Sequence, residues 1–290
     1  MFSIAKLSFK ETLYKRIFLI AVLMTLAFLA FFGIANHYAS KDMTENFDFA
    51  GMEIGQALLQ NTFFAVQVLS IGLFFANFIT ILLTILSTVG TVSGEIESHQ
   101  IDTLLARPLK RRDLILGKFI GLGGLMMLYS VFIFGGVILM NQLFGGVLAI
   151  HLSAGQIVKA GLMFALLPLL VTAIGLWLST RLTTINGGII MIVMYGIGFI
   201  GGFMEQFGVL MNNRSLENIG ILSSIVFPLD SLFRRMSVYL FDVADNPLSF
   251  ASQGIFASAS TPSNLMLVYS ALYGVLILFF AIRKFTKRDV

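Results

Sequence analysis

FFAVQVLSIGLFFANFITILLTILSTV, residues 63–89, contains no Asp, Glu, Lys or Arg. An α-helix rises about 1.5 Å per residue, so this run is long enough to cross the roughly 30 Å hydrocarbon core of a bilayer. Five more uncharged apolar runs accompany it, at 17–35, 119–140, 160–178, 185–204 and 265–282. The whole 290-residue chain is 57% hydrophobic and only 12% charged, with a mean hydropathy of +0.91. A soluble domain carries about twice that charge, roughly 25%. The expectation is an all-α polytopic membrane protein: one transmembrane domain, 1–290, with six spans. Runs 63–89 and 119–140 exceed one crossing, so their helices should tilt or project beyond the bilayer.

The basic residues orient these spans. With the N-terminus in the cytoplasm, the inner side holds Lys6, Lys10, Lys15, Arg16, Arg107, Lys110, Arg111, Arg112, Lys118, Arg181, Arg283, Lys284, Lys287 and Arg288. The outer side is left with Lys41, Lys159, Arg214, Arg234 and Arg235. That asymmetry follows the positive-inside rule and predicts both termini inside. It also accounts for the net charge of +4 without a nucleic-acid partner. The absence of cysteine excludes disulfides and thiolate metal sites.

The run at 17–35 is longer than a signal-peptide core and no A-x-A site follows it, so it reads as an uncleaved anchor. Residues 1–16 space Phe2, Phe9 and Leu13 among Lys6, Lys10 and Lys15, as expected of a helix lying in the inner interface. Residues 205–264 form the longest outer segment. Pro228 should break it into two short re-entrant or interfacial helices, with Arg234 and Arg235 reaching the outer headgroups.

One passage concentrates charge: SGEIESHQIDTLLARPLKRRDLILGK, residues 93–118. Ser93 is placed to cap a helix whose first turn holds Glu95 and Glu97. Ile101, Leu104, Leu105 and Pro108 follow at i, i+3, i+4 and i+7, one apolar face, with Glu97 and Asp102 off it. Pro108 ends the helix, and Lys110, Arg111 and Arg112 mark the headgroup level before the third span. The spacing predicts a short amphipathic helix over 93–107. An ordinary wet loop satisfies the same periodicity.

The motif G-E-I-E, then L-L-A-R-P, then G-K before the third span resembles the intracellular passage of type-2 ABC transporter permeases. Gly94, Glu95, Glu97, Leu104, Leu105, Arg107, Pro108, Gly117 and Lys118 carry the match. His99-Gln100 stands where the family often has Gly-Thr. Pro228-Leu229-Asp230 before the last span is also family-like, and the span number and topology extend the resemblance over most of the chain.

The resemblance implies that residues 93–107 are a coupling helix docked on a separate cytoplasmic ATPase. Ile101, Leu104 and Leu105 would fill its groove, and Glu95, Glu97, Asp102 and Arg107 would fix orientation. It further implies two ATPase copies that carry ATP and Mg, and a second permease, identical or related, that completes a dimer in the bacterial plasma membrane. The chain itself would be neither an enzyme nor a cofactor binder. Consistently, it contains no G-x-x-x-x-G-K-[ST]. Spans rich in Phe, Leu, Ile and Met favour export of an apolar or amphipathic substrate.

Other features are weaker. Three histidines and scattered methionines make no metal motif. Gly117-x-x-x-Gly121 and Gly198-x-x-x-Gly202 should bring helices of this chain close together. Gln67, Asn77 and Asn141 would either line a pathway or hydrogen-bond between helices. A channel or secondary transporter would place ionisable groups within its spans, and the six runs have none. A membrane enzyme would need a clustered acid, base or nucleophile, and only the Glu95–Asp102 group is compact.

Overall fold

The computed structural model describes residues 1–46, 54–100, 110–241 and 262–287. Among them the helices are α1 (Phe2–Tyr14), α2 (Arg16–Asn46), α3 (Ile54–Thr88), α4 (Gly90–Glu97), α5 (Arg111–Phe144), α6 (Ala154–Ser179), α7 (Thr184–Leu210), α8 (Arg214–Val226), α9 (Leu229–Phe241) and α10 (Asn264–Thr286). A 3-10 turn, Gly146–Leu148, follows α5. Six helices are long and apolar enough to span a membrane, and each contains one of the six uncharged runs. The protein is an all-α polytopic membrane protein.

The helices outrun those apolar stretches. Arg16–Asn46 extends the first run by about ten residues, and Thr184–Leu210 carries the fifth past Met204 to include Glu205. A polar residue does not end a helix if its side chain finds a partner, as Asn36 does with Asn141 and Glu205 with Arg234.

α3, α5 and α6 form the centre. Leu69, Leu73, Ile81, Ile133, Val137, Phe164 and Ile174 belong to one buried cluster, joined by Met236 and Leu240 of α9. Three hydroxyls of α3 are satisfied inside their own helix: Thr80, Thr84 and Thr88 each donate to the carbonyl four residues back at 2.8, 2.7 and 2.6 Å. Outer faces of α2, α7 and α10 leave Leu23, Phe31, Ile189, Ile197, Leu272 and Phe279 exposed. That is the surface a lipid solvent requires.

Ile4, Val92, Leu114, Ile115, Leu176, Ala281 and Phe285 pack as a second cluster. It gathers α1, α4, the start of α5 and the last turns of α6 and α10, so Arg111, Arg112, Arg181, Arg283 and Lys284 lie at one end of the bundle, here the basic end. α1 buries Ile4, Ala5, Ser8 and Thr12. A Cβ on Gly121 would strike the Ala5 backbone, so this glycine sets how closely α1 lies against α5. The small-residue pair of the third span therefore serves α1.

Pro228 acts as expected: α8 and α9 meet there at 104°. The carbonyls that the break leaves at the end of α8 are taken up by α10, where Tyr269 and Tyr273 donate to Ile225 and Val226 at 2.6 and 2.8 Å.

The expected reach of Arg234 to headgroups is wrong. Arg234 is 3% exposed. Its Nη1 and Nη2 donate to the two oxygens of Glu205, each at 2.7 Å, and its Nε lies 2.8 Å from Asp230 Oδ2. Arg235 donates to Pro262 O and Asn264 Oδ1, at 3.0 and 2.7 Å, and stacks on Tyr239. A guanidinium with carboxylates within reach gains more from a bidentate pair than from water at the rim.

Candidate functional site

The charged passage begins differently from its sequence-based reading. Ser93 does not start a helix, and Glu95 and Glu97 do not fall in a first turn. α4 continues α3 after a break at Val89 and ends at Glu97, so both acids occupy its last turn. His99 follows at φ 55°, in the left-handed region. There a glycine costs nothing and histidine is an uncommon occupant.

α4 is bolted to the turn between α6 and α7. α4 begins just after Val89, and the amides of Val92 and Ser93 donate to Ser179 Oγ, at 3.0 and 2.9 Å. Ser93 and Thr184 hydroxyls meet at 2.9 Å. Glu97 caps α7: Thr184 donates its amide to Oε1 at 2.9 Å and its hydroxyl to Oε2 at 3.2 Å. A carboxylate on the first amides of a helix is favoured by the helix dipole as well as by the hydrogen bond.

Glu95 turns the other way, into the second turn of α5. Its Oε1 lies 2.5 Å from Lys118 Nζ, and Lys118, only 2% exposed, also donates to Thr91 O at 2.6 Å. Glu95 Oε2 has no hydrogen-bond partner among the described residues. The carboxylate therefore depends on the lysine. Nearby, Arg181 lies over the Trp177 ring, 4.7 Å from its centroid.

Ile101, Asp102, Leu104, Leu105 and Arg107 lie outside the described residues. The two flanks of that segment are described. One is α4, held by Glu97 and Ser179 to the α6–α7 turn; the other is α5, held by Lys118 to α4 and by Gly121 to α1.

The three polar span residues separate. Asn141 is consumed in structure: its amide donates to Asn36 Oδ1 at 3.0 Å and its oxygen accepts from Ile150 N at 3.3 Å, closing the end of the bundle opposite the basic end. Gln67 and Asn77 each keep a buried amide oxygen with no partner among the described residues. Asn77 lines a small cavity with Phe74, Tyr195, Phe199, Phe233 and Asp230. Sequence reasoning missed Ser179 and Thr184, which look like any loop hydroxyls. It also missed the Glu205–Arg234–Asp230 cluster, for which the only sequence signal was the i, i+4 spacing of Asp230 and Arg234. Among the described residues, no group of three His, Cys, Asp or Glu is placed to hold a metal ion.

Comparison with curated proteins gives no significant match. A family described as "ABC-2 family transporter protein" matches residues 2–290. Its members are membrane components of transporters, working with an ABC ATPase and not themselves ATPases. Six membrane-length helices and a charged passage clamped between the second and third accompany a match over essentially the full chain, and the protein belongs to the ABC-2 transporter family.

Proposed function

We propose that this chain is the permease subunit of an ATP-driven exporter and that residues 101–109 are its docking element for a separate ATPase. The carrying observation is the bracing of both flanks of that segment. Glu97, Ser179, Thr184, Glu95 and Lys118 make a polar junction beside that segment, exposed at Glu97 and buried at Ser179 and Lys118. An element that receives force needs stiff connections to the parts it moves, and side-chain hydrogen-bond networks supply them.

In this proposal Ile101, Leu104 and Leu105 enter a groove on the ATPase, and Asp102 and Arg107 set its orientation. Glu95 and Glu97 act inside the chain, holding the docking element to the spans. Two permeases, identical or related, stand with two ATPases that bind ATP and Mg. Closure of the ATPases shifts the junction and alternates access from the cytoplasmic basic end to the outer end, in a bacterial plasma membrane.

An apolar or amphipathic cargo is supported by a cavity of about 310 Å³ between α6 and α10. Met163, Leu166, Leu170, Leu267, Ala271 and Gly274 are among its walls.

The test is capture of the tagged chain from native membranes in mild detergent, with mass spectrometry of associated proteins. The expected result is a near-stoichiometric ATP-binding-cassette protein, lost with Leu104→Asp while the variant stays inserted. Recovery of the chain alone, or full retention of the ATPase by Leu104→Asp, would contradict the docking role.

A further inference from the structure

The cavity between α6 and α10 lies at the rim of the bundle and has the form of a groove. Met163 to Ala173 of α6 and Leu267 to Leu278 of α10 wall it, so it runs for about 15–17 Å along the helices. Leu166 and Val275 on its walls are 40% and 66% exposed, so it opens sideways, towards lipid. Its lining is hydrocarbon apart from Ser270, whose hydroxyl already donates to Met266 O at 2.8 Å. A polar group has nothing to bind along this stretch; an alkyl chain does.

The end of the groove nearer the basic end is different. Phe119 and Leu278 close it there, and both pack against the same buried cluster as Trp177. Trp177 follows Leu166, Leu170 and Ala173 at i+11, i+7 and i+4, which puts it on the groove face of α6. Arg181 comes one turn later, just past the helix end and about 12 Å beyond Ala173. Its guanidinium lies over the Trp177 ring, 4.7 Å from the centroid. An indole with a basic residue just beyond it is the pattern of a bilayer interface. The groove thus leads from hydrocarbon depth to a positioned cation at headgroup level.

Charge around that end is one-sided. Arg112, Arg181, Arg283 and Lys284 are exposed. Of the acids described there, Glu95 and Glu97 are engaged within the chain and Asp113 sits in the first turn of α5. Residues 169–181 and 274–287, which carry the two walls on to the basic end, contain no Asp or Glu.

An apolar groove alone selects nothing in a bilayer, because the surrounding lipid tails are equally apolar. Selection has to come from the charged end. Arginine recognises phosphate through its N–H fork, and a guanidinium already stacked on a ring loses less freedom on binding. A zwitterionic headgroup brings its own cation to the same place; an anionic headgroup does not.

From this placement we infer that the groove seats an acyl chain of an anionic phospholipid whose phosphate rests on Arg181. The inference rests on the reading of this cavity as a place for an amphipathic ligand, and it names that ligand's class.

Trp177 is the sole tryptophan of the chain, so its fluorescence reports on this site. The test places the full-length chain in nanodiscs of equal phosphatidylglycerol and phosphatidylcholine, with bromines at mid-chain on one lipid or on the other. Brominated phosphatidylglycerol should quench as though enriched about fivefold over brominated phosphatidylcholine, the order expected of one basic residue at an anionic headgroup. Arg181→Gln should abolish that advantage. Ala271→Phe, at an exposed groove position, should abolish it too by filling the seat. Arg283→Gln/Lys284→Gln should keep most of it.

Equal quenching by the two lipids in wild type, or an unchanged advantage in Arg181→Gln, would overturn the inference. An advantage that survives Ala271→Phe, or vanishes in Arg283→Gln/Lys284→Gln, would report general accumulation of anionic lipid at the basic end and overturn it as well. Quenching is read on the isolated chain and ATPase capture on native membranes, so failure of one is distinguishable from failure of the other.

Discussion

Lys118 Nζ and Glu95 Oε1 lie 2.5 Å apart with both side chains largely out of solvent, joining the last turn of α4 to the second turn of α5. They are the two ends of the charged passage brought into direct contact. The pair closes a loop around residues 101–109 and makes the flanks of that segment one unit.

Removing one member leaves the other buried without its counterion. Glu95→Gln should lower stability by about 3–5 kcal/mol, whereas the double variant Glu95→Leu/Lys118→Met should recover most of it. Thermal melting of the detergent-solubilised chain measures both. A Glu95→Gln protein that melts with wild type would mean that the pair does not hold α4 to α5.

Ser179 Oγ accepts from two amides at once. Ser179→Ala should cost about 1–3 kcal/mol and speed hydrogen exchange at Val92 and Ser93 well above that of neighbouring α4 amides. Unchanged exchange at those two positions would show that the break at Val89 is satisfied some other way.

His99 adopts a conformation that disfavours any side chain branched at Cβ. His99→Val should therefore destabilise by about 1–2 kcal/mol, and His99→Gly should be no less stable than wild type. The melting order Gly ≥ His > Val is the expected outcome; Val equal to His would place the turn elsewhere.

Gly121 lets α1 reach α5. Gly121→Leu should detach α1 without unfolding the spans. Hydrogen exchange at the amides of Ser8 and Thr12, whose residues are buried in the parent chain, should speed up in Gly121→Leu while exchange in the spans is unchanged. Unchanged exchange in α1 would contradict this packing.

The fold was legible because bilayer solvent imposes a simple rule on sequence: uncharged runs of adequate length become spans, and all six did. Pro228 was equally readable, since its ring forbids a continuous helix. The junction was not. Serines and threonines such as Ser93, Ser179 and Thr184 have no distinctive spacing, and their partners lie more than 80 residues away. Position in the charged passage suggested that Glu95 and Glu97 face a partner protein, whereas each is engaged within the chain. Glu205 and Arg234 looked like surface charges because periodicity cannot report that Pro228 folds α9 back against α7 and α6. The hidden part is long-range pairing of polar groups.

The central claim is that a separate ATPase docks at residues 101–109. The most direct measurement is photo-cross-linking in native membranes from a benzoylphenylalanine placed at Leu104, with the same probe at Lys159, beyond the third span at the start of the fourth, as control. The account predicts an adduct from position 104 with a polypeptide carrying a P-loop, and none from position 159. An empty result at 104 in inserted, undegraded protein, or the same adduct from both positions, would contradict it.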